Sequence, residues 1–246
     1  MSVLLTEKYG AVLVITLNRP EKHNALNTEL TQRLLDTLKA AEYDSAVKAI
    51  VLTGGGKSFC AGADTREFSA LVPGAANDVL DRADLTTSLH LTFSRIAKPI
   101  IAAVHGNALG GGAGLALACD LVVMADDTRF GYPELKHGIV AAVVLANLVR
   151  QLGQKQAFEL VSMAEPITGQ RALDLGLANK VCPADRVLDE ALAMATRLAA
   201  WSPIAMATTK RTFYRAAELP LEAALAVGRD ANVMMRGFNK KIGDQQ

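Results

Sequence analysis

The stretch Gly106-Asn107-Ala108-Leu109-Gly110-Gly111-Gly112-Ala113-Gly114-Leu115-Ala116-Leu117-Ala118-Cys119-Asp120 decides the fold of this chain. Its three consecutive glycines lie between an apolar, strand-like run (residues 99–105) and an apolar, helix-like run (residues 115–119). Glycine in a helix interior costs about 1 kcal/mol relative to alanine, so three together do not serve stability. A lone glycine would indicate only close packing of the helix on the strand. Because bare N–H groups at a helix start attract negative charge, the stretch predicts a site for a phosphate or for an enolate or acyl-transfer oxyanion.

Strand-like and helix-like segments alternate on both sides of this stretch. We predict strands over residues 3–8 and 11–17, which form a β-hairpin around Gly10, and over residues 47–52, 99–105, 121–125 and 178–182. We predict helices over residues 28–43, with Thr28 as the cap, and over 78–97, 145–152, 154–164, 170–175, 185–200, 203–217 and 221–236. The repeated order of strand, glycine turn and helix predicts an α/β fold with a parallel sheet and right-handed crossovers. Ligands then bind at the carboxyl ends of the strands, where the glycine loops lie.

Composition excludes several classes of protein. The 246 residues are 50% hydrophobic and 21% charged, which is typical of a globular chain. The 26 basic and 25 acidic residues leave a net charge of +1, so we expect neither nucleic acid nor an anionic membrane as the main partner. The cysteines (Cys60, Cys119 and Cys182) have no metal-ligand or disulfide spacing, which predicts no metal site and a cytoplasmic location. We also expect no signal peptide and no membrane span.

Five segments, in order along the chain, resemble the crotonase (enoyl-CoA hydratase/isomerase) superfamily. They are Leu17-Asn18-Arg19-Pro20 with Asn24-Ala25-Leu26-Asn27; Phe59-Cys60-Ala61-Gly62-Ala63-Asp64; Lys98-Pro99-Ile100-Ile101-Ala102-Ala103-Val104-His105-Gly106 with the triple glycine; Phe130-Gly131-Tyr132-Pro133-Glu134; and Ala172-Leu173-Asp174-Leu175-Gly176-Leu177-Ala178. They resemble, in turn, the first CoA-binding turn, the two oxyanion-hole loops, the segment with a catalytic glutamate and a later family signature. Each segment alone is a weak signal, and the ordered set carries the resemblance.

The resemblance implies a crotonase-like ββα superhelix over residues 1–190 and a C-terminal helical region, residues 191–246, that mediates homotrimers or homohexamers. It implies an acyl-CoA substrate and no cofactor, since coenzyme A is part of the substrate. The backbone N–H groups of Ala63 and Gly111 would form the oxyanion hole, and Glu134 would be the catalytic acid/base. Further substrate contacts are implied at Ala25, Ala61, Gly62, Asp64 and Gly110.

One departure from the family pattern indicates the reaction. Family hydratases resemble this chain but carry a second glutamate where Gly114 stands, and hydration divides acid and base work between the two carboxylates. A double-bond shift needs one carboxylate, and the segment Gly138-Ile139-Val140-Ala141-Ala142-Val143-Val144-Leu145 is apolar, so it holds a nucleophilic water poorly. The sequence therefore favours an enoyl-CoA isomerase. An enoyl-CoA hydratase, another acyl-CoA lyase or hydrolase, and a weakly active acyl-CoA-binding paralogue stay open as alternatives.

Several polar residues near these motifs have simpler interpretations. Asp64 is expected to cap the next helix, and His90 to be structural. His137 follows Glu134 at a spacing that would let it orient the carboxylate if the segment is helical. Cys60 and Cys119 are expected to pack in the core.

Overall fold

The computed structural model describes residues 2–68 and 76–243, with side chains described over 2–67 and 77–237. The strands are β1 (Leu4–Tyr9), β2 (Val12–Leu17), β3 (Ala49–Gly54), β4 (Ile100–Val104), β5 (Asn107–Leu109), β6 (Leu121–Ala125), β7 (Arg129–Gly131) and β8 (Lys180–Cys182). The helices are α1 (Thr28–Tyr43), α2 (Thr65–Phe68), α3 (Ala76–Arg95), α4 (Gly111–Ala118), α5 (Leu145–Gln151), α6 (Gln154–Ser162), α7 (Gly169–Asp174), α8 (Val187–Ala199), α9 (Pro203–Ala217) and α10 (Leu221–Gly243). Short 3-10 turns occupy Pro20–Lys22, Glu134–His137 and Ala184–Arg186.

Six strands form one sheet in the order β1-β2-β3-β4-β6-β8. The strands β1 and β2 are an antiparallel hairpin, and every other neighbouring pair in this sheet is parallel. This confirms the predicted hairpin and parallel sheet. The strands β5 and β7 form a separate parallel pair that the sequence analysis missed, because three-residue strands carry almost no periodicity.

One face of the main sheet is covered by α1, whose buried stripe of Leu30, Leu34 and Leu38 recurs every four residues and packs into the larger core cluster. The predicted cap of this helix was wrong by one position. Asn27 is the cap, since its side chain accepts a hydrogen bond from the Leu30 N–H at 2.9 Å. Thr28 is the first helical residue. Both residue types cap helices, so sequence alone could not separate them.

The other face of the sheet is covered by α8. Its Ala191, Ala195 and Ala199 are buried in a cluster with valines of the sheet, and their small size lets the helix approach closely. The predicted division between residues 190 and 191 falls inside this helix, which packs on the sheet as part of the core layer. The division into two regions stays a prediction. In the described residues, none of the helices is long and apolar enough to cross a membrane.

Helices α9 and α10 pack against each other and attach to the rest of the chain through a buried ion pair. Lys210 of α9 lies 2.7 Å from the Asp120 carboxylate and also donates to the Lys98 carbonyl. Asp120 follows the end of α4, accepts a hydrogen bond from the Tyr214 hydroxyl at 2.8 Å, and accepts another from the Ile100 N–H at 2.7 Å. This cluster therefore links α9 to α4 and β4.

Replacing Lys210 with methionine is expected to lower the free energy of unfolding by about 3–5 kcal/mol, because the substitution leaves the largely buried Asp120 carboxylate without its cation. Urea unfolding followed by circular dichroism measures this change. The control is Lys8→Met, which breaks the exposed ion pair with Asp44, where water and salt screen the charges. Equal destabilisation by the two substitutions would contradict a special role for the buried pair.

Candidate active site

The loop of residues 60–64 is fixed along one edge by β5. The Cys60 N–H donates to the Asn107 carbonyl at 2.9 Å, and the Leu109 N–H donates back to the Cys60 carbonyl at 3.0 Å. A methyl group built on Gly112 would lie 2.1 Å from the Cys60 carbonyl oxygen, so only glycine lets the first turn of α4 pack this closely on the loop. The triple glycine therefore brings the helix N-terminus directly against the loop.

The turn before α1 fixes the other edge of the same loop. The Leu26 N–H donates to the Gly62 carbonyl at 2.7 Å, and the Asp64 N–H donates to the Leu26 carbonyl at 3.0 Å. These bonds engage the Gly62 carbonyl and the Asp64 N–H, the backbone groups that flank Ala63. The Ala63 N–H itself has no acceptor among the described residues.

The Gly111 N–H lies beside that of Ala63. A methyl group built on Gly111 would be 3.5 Å from the Ala63 nitrogen, and one built on Gly62 would be 3.4 Å from the Gly111 nitrogen. Gly111 is the first residue of α4, where the N–H has no partner within the helix, and it has none elsewhere in the described part of the chain. The helix was predicted to start after the glycines and instead starts within them. Two unpaired N–H groups thus meet at the positive end of a helix.

Glu134 lies beside this pair. Its Oε1 is 2.6 Å from the point where a Cβ of Gly110 would stand, next in sequence to Gly111. Gly110 also has φ +52°, which is unfavourable for residues with side chains. Glycine is therefore required at position 110 for two reasons: the backbone conformation and the close approach of the Glu134 carboxylate.

Burial raises the pKa of the Glu134 carboxyl, and its own backbone N–H and the nearby His137 partly offset this effect. His137 is exposed, and no hydrogen bond joins it to Glu134 among the described contacts. Its charge acts on the carboxylate, but the prediction that it orients Glu134 has no further support. The Oε2 atom of Glu134 is shielded from solvent and has no hydrogen-bond partner in the described structure. Because burial destabilises its charged form, the Glu134 carboxylate is a stronger base than an exposed one, which suits it to proton transfer.

Gly114 lies on α4 one turn beyond Gly110 and has no room for a side chain. A Cβ on Gly114 would stand 2.4 Å from a methyl group of Val144 and 3.0 Å from Cε1 of His90. Burial lowers the pKa of His90 to about 4, so the imidazole is neutral at physiological pH, and its Nδ1 lies 3.4 Å from the Asn147 amide. An apolar side chain and a neutral ring thus fill the space beside Gly114, the position at which the resemblance implied a second glutamate in family hydratases.

A cavity of about 580 Å³ opens next to Ala63. Of the residues implied as substrate contacts, Ala25, Ala61 and Asp64 line it, while Gly62 and Gly110 are not among its lining residues. The remaining lining residues are Glu21, Lys22, His23, Thr65, Arg66, His137 and Ile139. The cavity therefore joins the turn before α1, the 60–64 loop and the segment after Glu134. Within the described residues, no three His, Cys, Asp or Glu side chains come together as a metal site.

Asp64 lines the cavity, but its carboxylate is engaged by the protein. It accepts hydrogen bonds from the Arg66 side chain and backbone and from Arg19 at 2.9 Å, and these bonds hold its pKa at about 2 despite burial. The expected capping of α2 is seen in the bond from the Arg66 N–H. Arg19 also donates to the Ala25 carbonyl, so it ties together the two segments that hold Ala63.

Arg19 and Asn24 both hold this part of the site, and neither role was predicted from the sequence. Asn24 is fully buried with φ +57°, its amide donates to the Gly55 and Ser58 carbonyls, and its Oδ1 accepts from the Arg19 N–H at 2.8 Å. These bonds fix the turn that leads to Leu26. A buried asparagine in a left-handed conformation has no pattern in sequence that would reveal it.

Two neighbouring unpaired N–H groups beside a carboxylate are typical of enzymes that stabilise an oxyanion. The enoyl-CoA hydratase/isomerase family model matches residues 7–241, and this chain belongs to that family. It is 38% identical over 230 residues to the 2,3-dehydroadipyl-CoA hydratase of Escherichia coli, covering 93% of this chain and 88% of the relative.

Solved structures agree on the fold. An enoyl-CoA hydratase from Mycobacterium smegmatis superimposes with a TM-score of 0.91 at 32% identity, covering 95% of this chain and 91% of that one. A monofunctional enoyl-CoA isomerase from M. smegmatis superimposes with a TM-score of 0.78 at 28% identity, covering 91% of this chain and 98% of that one. The chain has the crotonase α/β fold with a helical C-terminal region, and it is an acyl-CoA enzyme of the hydratase/isomerase type.

Replacing Gly110 with alanine is expected to lower turnover by about 100-fold, because the new methyl group displaces the Glu134 carboxylate by an ångström or more. The control is Gly10→Ala, which has the same left-handed backbone (φ +60°) but nothing within 4 Å of the new methyl group. Steady-state kinetics on 2-enoyl- and 3-enoyl-CoA thioesters, with unfolding curves for both variants, separate misplacement from backbone strain. Full activity in a folded Gly110→Ala protein would contradict the role given to this contact.

Proposed function

We propose that this enzyme shifts the double bond of an enoyl-CoA, with Glu134 as its single acid/base and the Ala63 and Gly111 N–H groups as the oxyanion hole. The observation that carries the proposal is the packing at Gly114. Val144 and His90 fill the space where a second carboxylate would act, so Glu134 works without a partner carboxylate there. A double-bond shift needs only one carboxylate, which removes a proton and returns it at another carbon.

The oxyanion hole would stabilise the thioester oxygen as it gains charge. When a proton leaves C2 of a 3-enoyl thioester, the electron pair delocalises over C4–C3–C2 and onto the thioester oxygen. The N–H groups of Ala63 and Gly111 are already oriented before the charge forms, so they stabilise the dienolate without reorganising. Loss of one such donor typically costs about 3–4 kcal/mol of transition-state stabilisation.

Glu134 would move the proton in two steps. Its carboxylate takes the proton from C2, which breaks that C–H bond and leaves the carboxyl neutral, and then returns the proton to C4. The double bond moves from C3–C4 to C2–C3, and the enzyme returns to its starting ionisation state. The raised pKa of Glu134 suits this cycle, since burial destabilises the carboxylate and strengthens it as a base.

The cavity next to Ala63 would hold the coenzyme A part of the substrate. Lys22 and Arg66 bring positive charge to its wall beside the carboxylates of Glu21 and Asp64, and Ala25 and Ala61 line it with small apolar side chains. Positive charge there is suited to the phosphates of coenzyme A. A thioester bound with its coenzyme A part in this cavity would place its carbonyl oxygen next to the N–H groups of Ala63 and Gly111.

The second candidate is an enoyl-CoA hydratase that works with one glutamate. The observation that favours it is that most of the related proteins carry hydratase names, including the E. coli relative. A hydrolase or decarboxylase of an acyl-CoA and a weakly active paralogue that only binds acyl-CoA are the further alternatives. Substrate turnover separates them, because the isomerase needs a 3-enoyl-CoA and the hydratase a 2-enoyl-CoA.

Glu134→Gln is expected to reduce isomerisation of a 3-enoyl-CoA by a factor of about 100 or more, because the amide is nearly isosteric but cannot carry the proton. Binding of a saturated acyl-CoA, measured by calorimetry, should be retained. The control is Glu165→Gln, which removes an exposed carboxylate that pairs with Lys136. Efficient hydration of crotonyl-CoA by the unmodified protein would refute the isomerase proposal in favour of the hydratase.

We also propose that α9 and α10 assemble the chain into a trimer or a pair of trimers. Large apolar side chains on these helices are exposed in the single chain: Ile204, Phe213, Leu221, Leu225, Val233 and Met234. Apolar patches of this kind mark interaction surfaces. A closed cyclic assembly would cover them without leaving open ends.

Light scattering at micromolar concentration is expected to give the mass of three or six chains. Phe213→Asp and Leu225→Asp should shift the mass toward single chains, because each introduces a charge into the apolar surface. Tyr43→Asp, at an exposed position at the end of α1, is the matched control and should leave the mass unchanged. A monomeric unmodified protein would contradict assembly through these helices.

A further inference from the structure

Two side chains that are two residues apart in sequence each have a buried polar atom without a hydrogen bond. These atoms are the Tyr132 hydroxyl and Oε2 of Glu134, and among the described residues they are the buried side-chain polar atoms that lack a partner. A buried polar group without a partner loses its hydration and gains no hydrogen bond in return, so such groups are rare in folded proteins and need an explanation. Two of them in one active-site segment point to a shared cause.

The two groups lie within electrostatic range of each other. Burial raises the pKa of the Tyr132 hydroxyl, and the negative charge of Glu134 raises it further. The hydroxyl therefore stays protonated at all physiological pH values and is available as a donor. The Tyr132 ring is 1% exposed and packs edge-on against Phe130 with the ring centroids 6.2 Å apart, so its position is fixed by the core.

We propose that the Tyr132 hydroxyl and Oε2 of Glu134 share one buried water molecule, and that Tyr132 positions the catalytic carboxylate through it. A buried water needs at least two polar partners, and these two orphaned atoms supply an acceptor and a donor. The water would donate to Oε2 and accept from the tyrosine. Oε1, which faces Gly110, is then left to exchange the proton with the substrate.

This inference rests on the proposed function only in taking Glu134 as the acid/base group. Its chemical consequence is a tuned pKa. A hydrogen bond donated to the carboxylate favours the charged form, so it opposes part of the increase that burial causes. Within the described residues, His137 is the other titratable group whose charge acts on Glu134, and it acts in the same direction.

The direct test is titration of Glu134 by NMR with ¹³C-labelled glutamate, the signal being assigned by its loss in Glu134→Gln. In Tyr132→Phe the carboxyl pKa is expected to rise by about half to one pH unit, the equivalent of one ordinary hydrogen bond. The acidic limb of the kcat/KM profile should move to higher pH by the same amount, and kcat should fall more than KM changes.

The control is Tyr214→Phe, which also removes a partly buried hydroxyl. That hydroxyl bonds Asp120, beyond the opposite end of α4 from Glu134. It should reduce stability and leave the Glu134 titration unchanged.

A high-resolution crystal structure of the unmodified protein should show a water within hydrogen-bond distance of both atoms. An unchanged Glu134 titration in Tyr132→Phe, or a crystal structure with no water between the two atoms, would overturn the inference. The NMR titration reports on Glu134 whichever thioester the enzyme converts. A failure to isomerise 3-enoyl-CoA would therefore refute the proposed function and leave this result standing.

Discussion

The pairing of backbone polar groups around Ala63 is the constraint on which the site depends. Hydrogen bonds from β5 and from the turn before α1 hold the 60–64 loop on both edges and leave the Ala63 N–H unpaired. The first turn of α4 then brings the Gly111 N–H alongside it. Unpaired backbone donors are costly when they are shielded from water, and Ala63 lies at the wall of the cavity, where the proposed substrate oxygen would accept from both N–H groups.

Much of this architecture could be predicted from the sequence. The features that could not be predicted share a physical reason. The glycine run, the hairpin and the stripe of Leu30, Leu34 and Leu38 carry periodic or compositional signals, so they predicted the α/β class and the place of the site. Contacts between residues that are far apart in the sequence produce no such periodic or compositional signal. The approach of Glu134 to Gly110 and the ties made by Arg19 and Asn24 became visible only in three dimensions.

Helix α4 joins two parts of the molecule that are distant in sequence. Its first residue offers an N–H to the site, while Asp120, just past its last turn, is bonded to Lys210 and Tyr214 of α9. The helix is only eight residues long, so its two ends are about 12 Å apart. Any displacement of α9 that moved Asp120 would therefore act on a short helix whose other end is the proposed oxyanion hole.

The contact between Gly114 and Val144 also limits how this sequence can evolve. A glutamate placed at residue 114 alone would overpack against Val144. A smaller residue placed at 144 alone would leave a cavity next to Gly114, which has no side chain to fill it. Each substitution is harmful without the other, so the two positions are coupled and their effects are not additive. A lineage could reach a two-carboxylate site from here only by crossing a less fit intermediate or by changing both residues together.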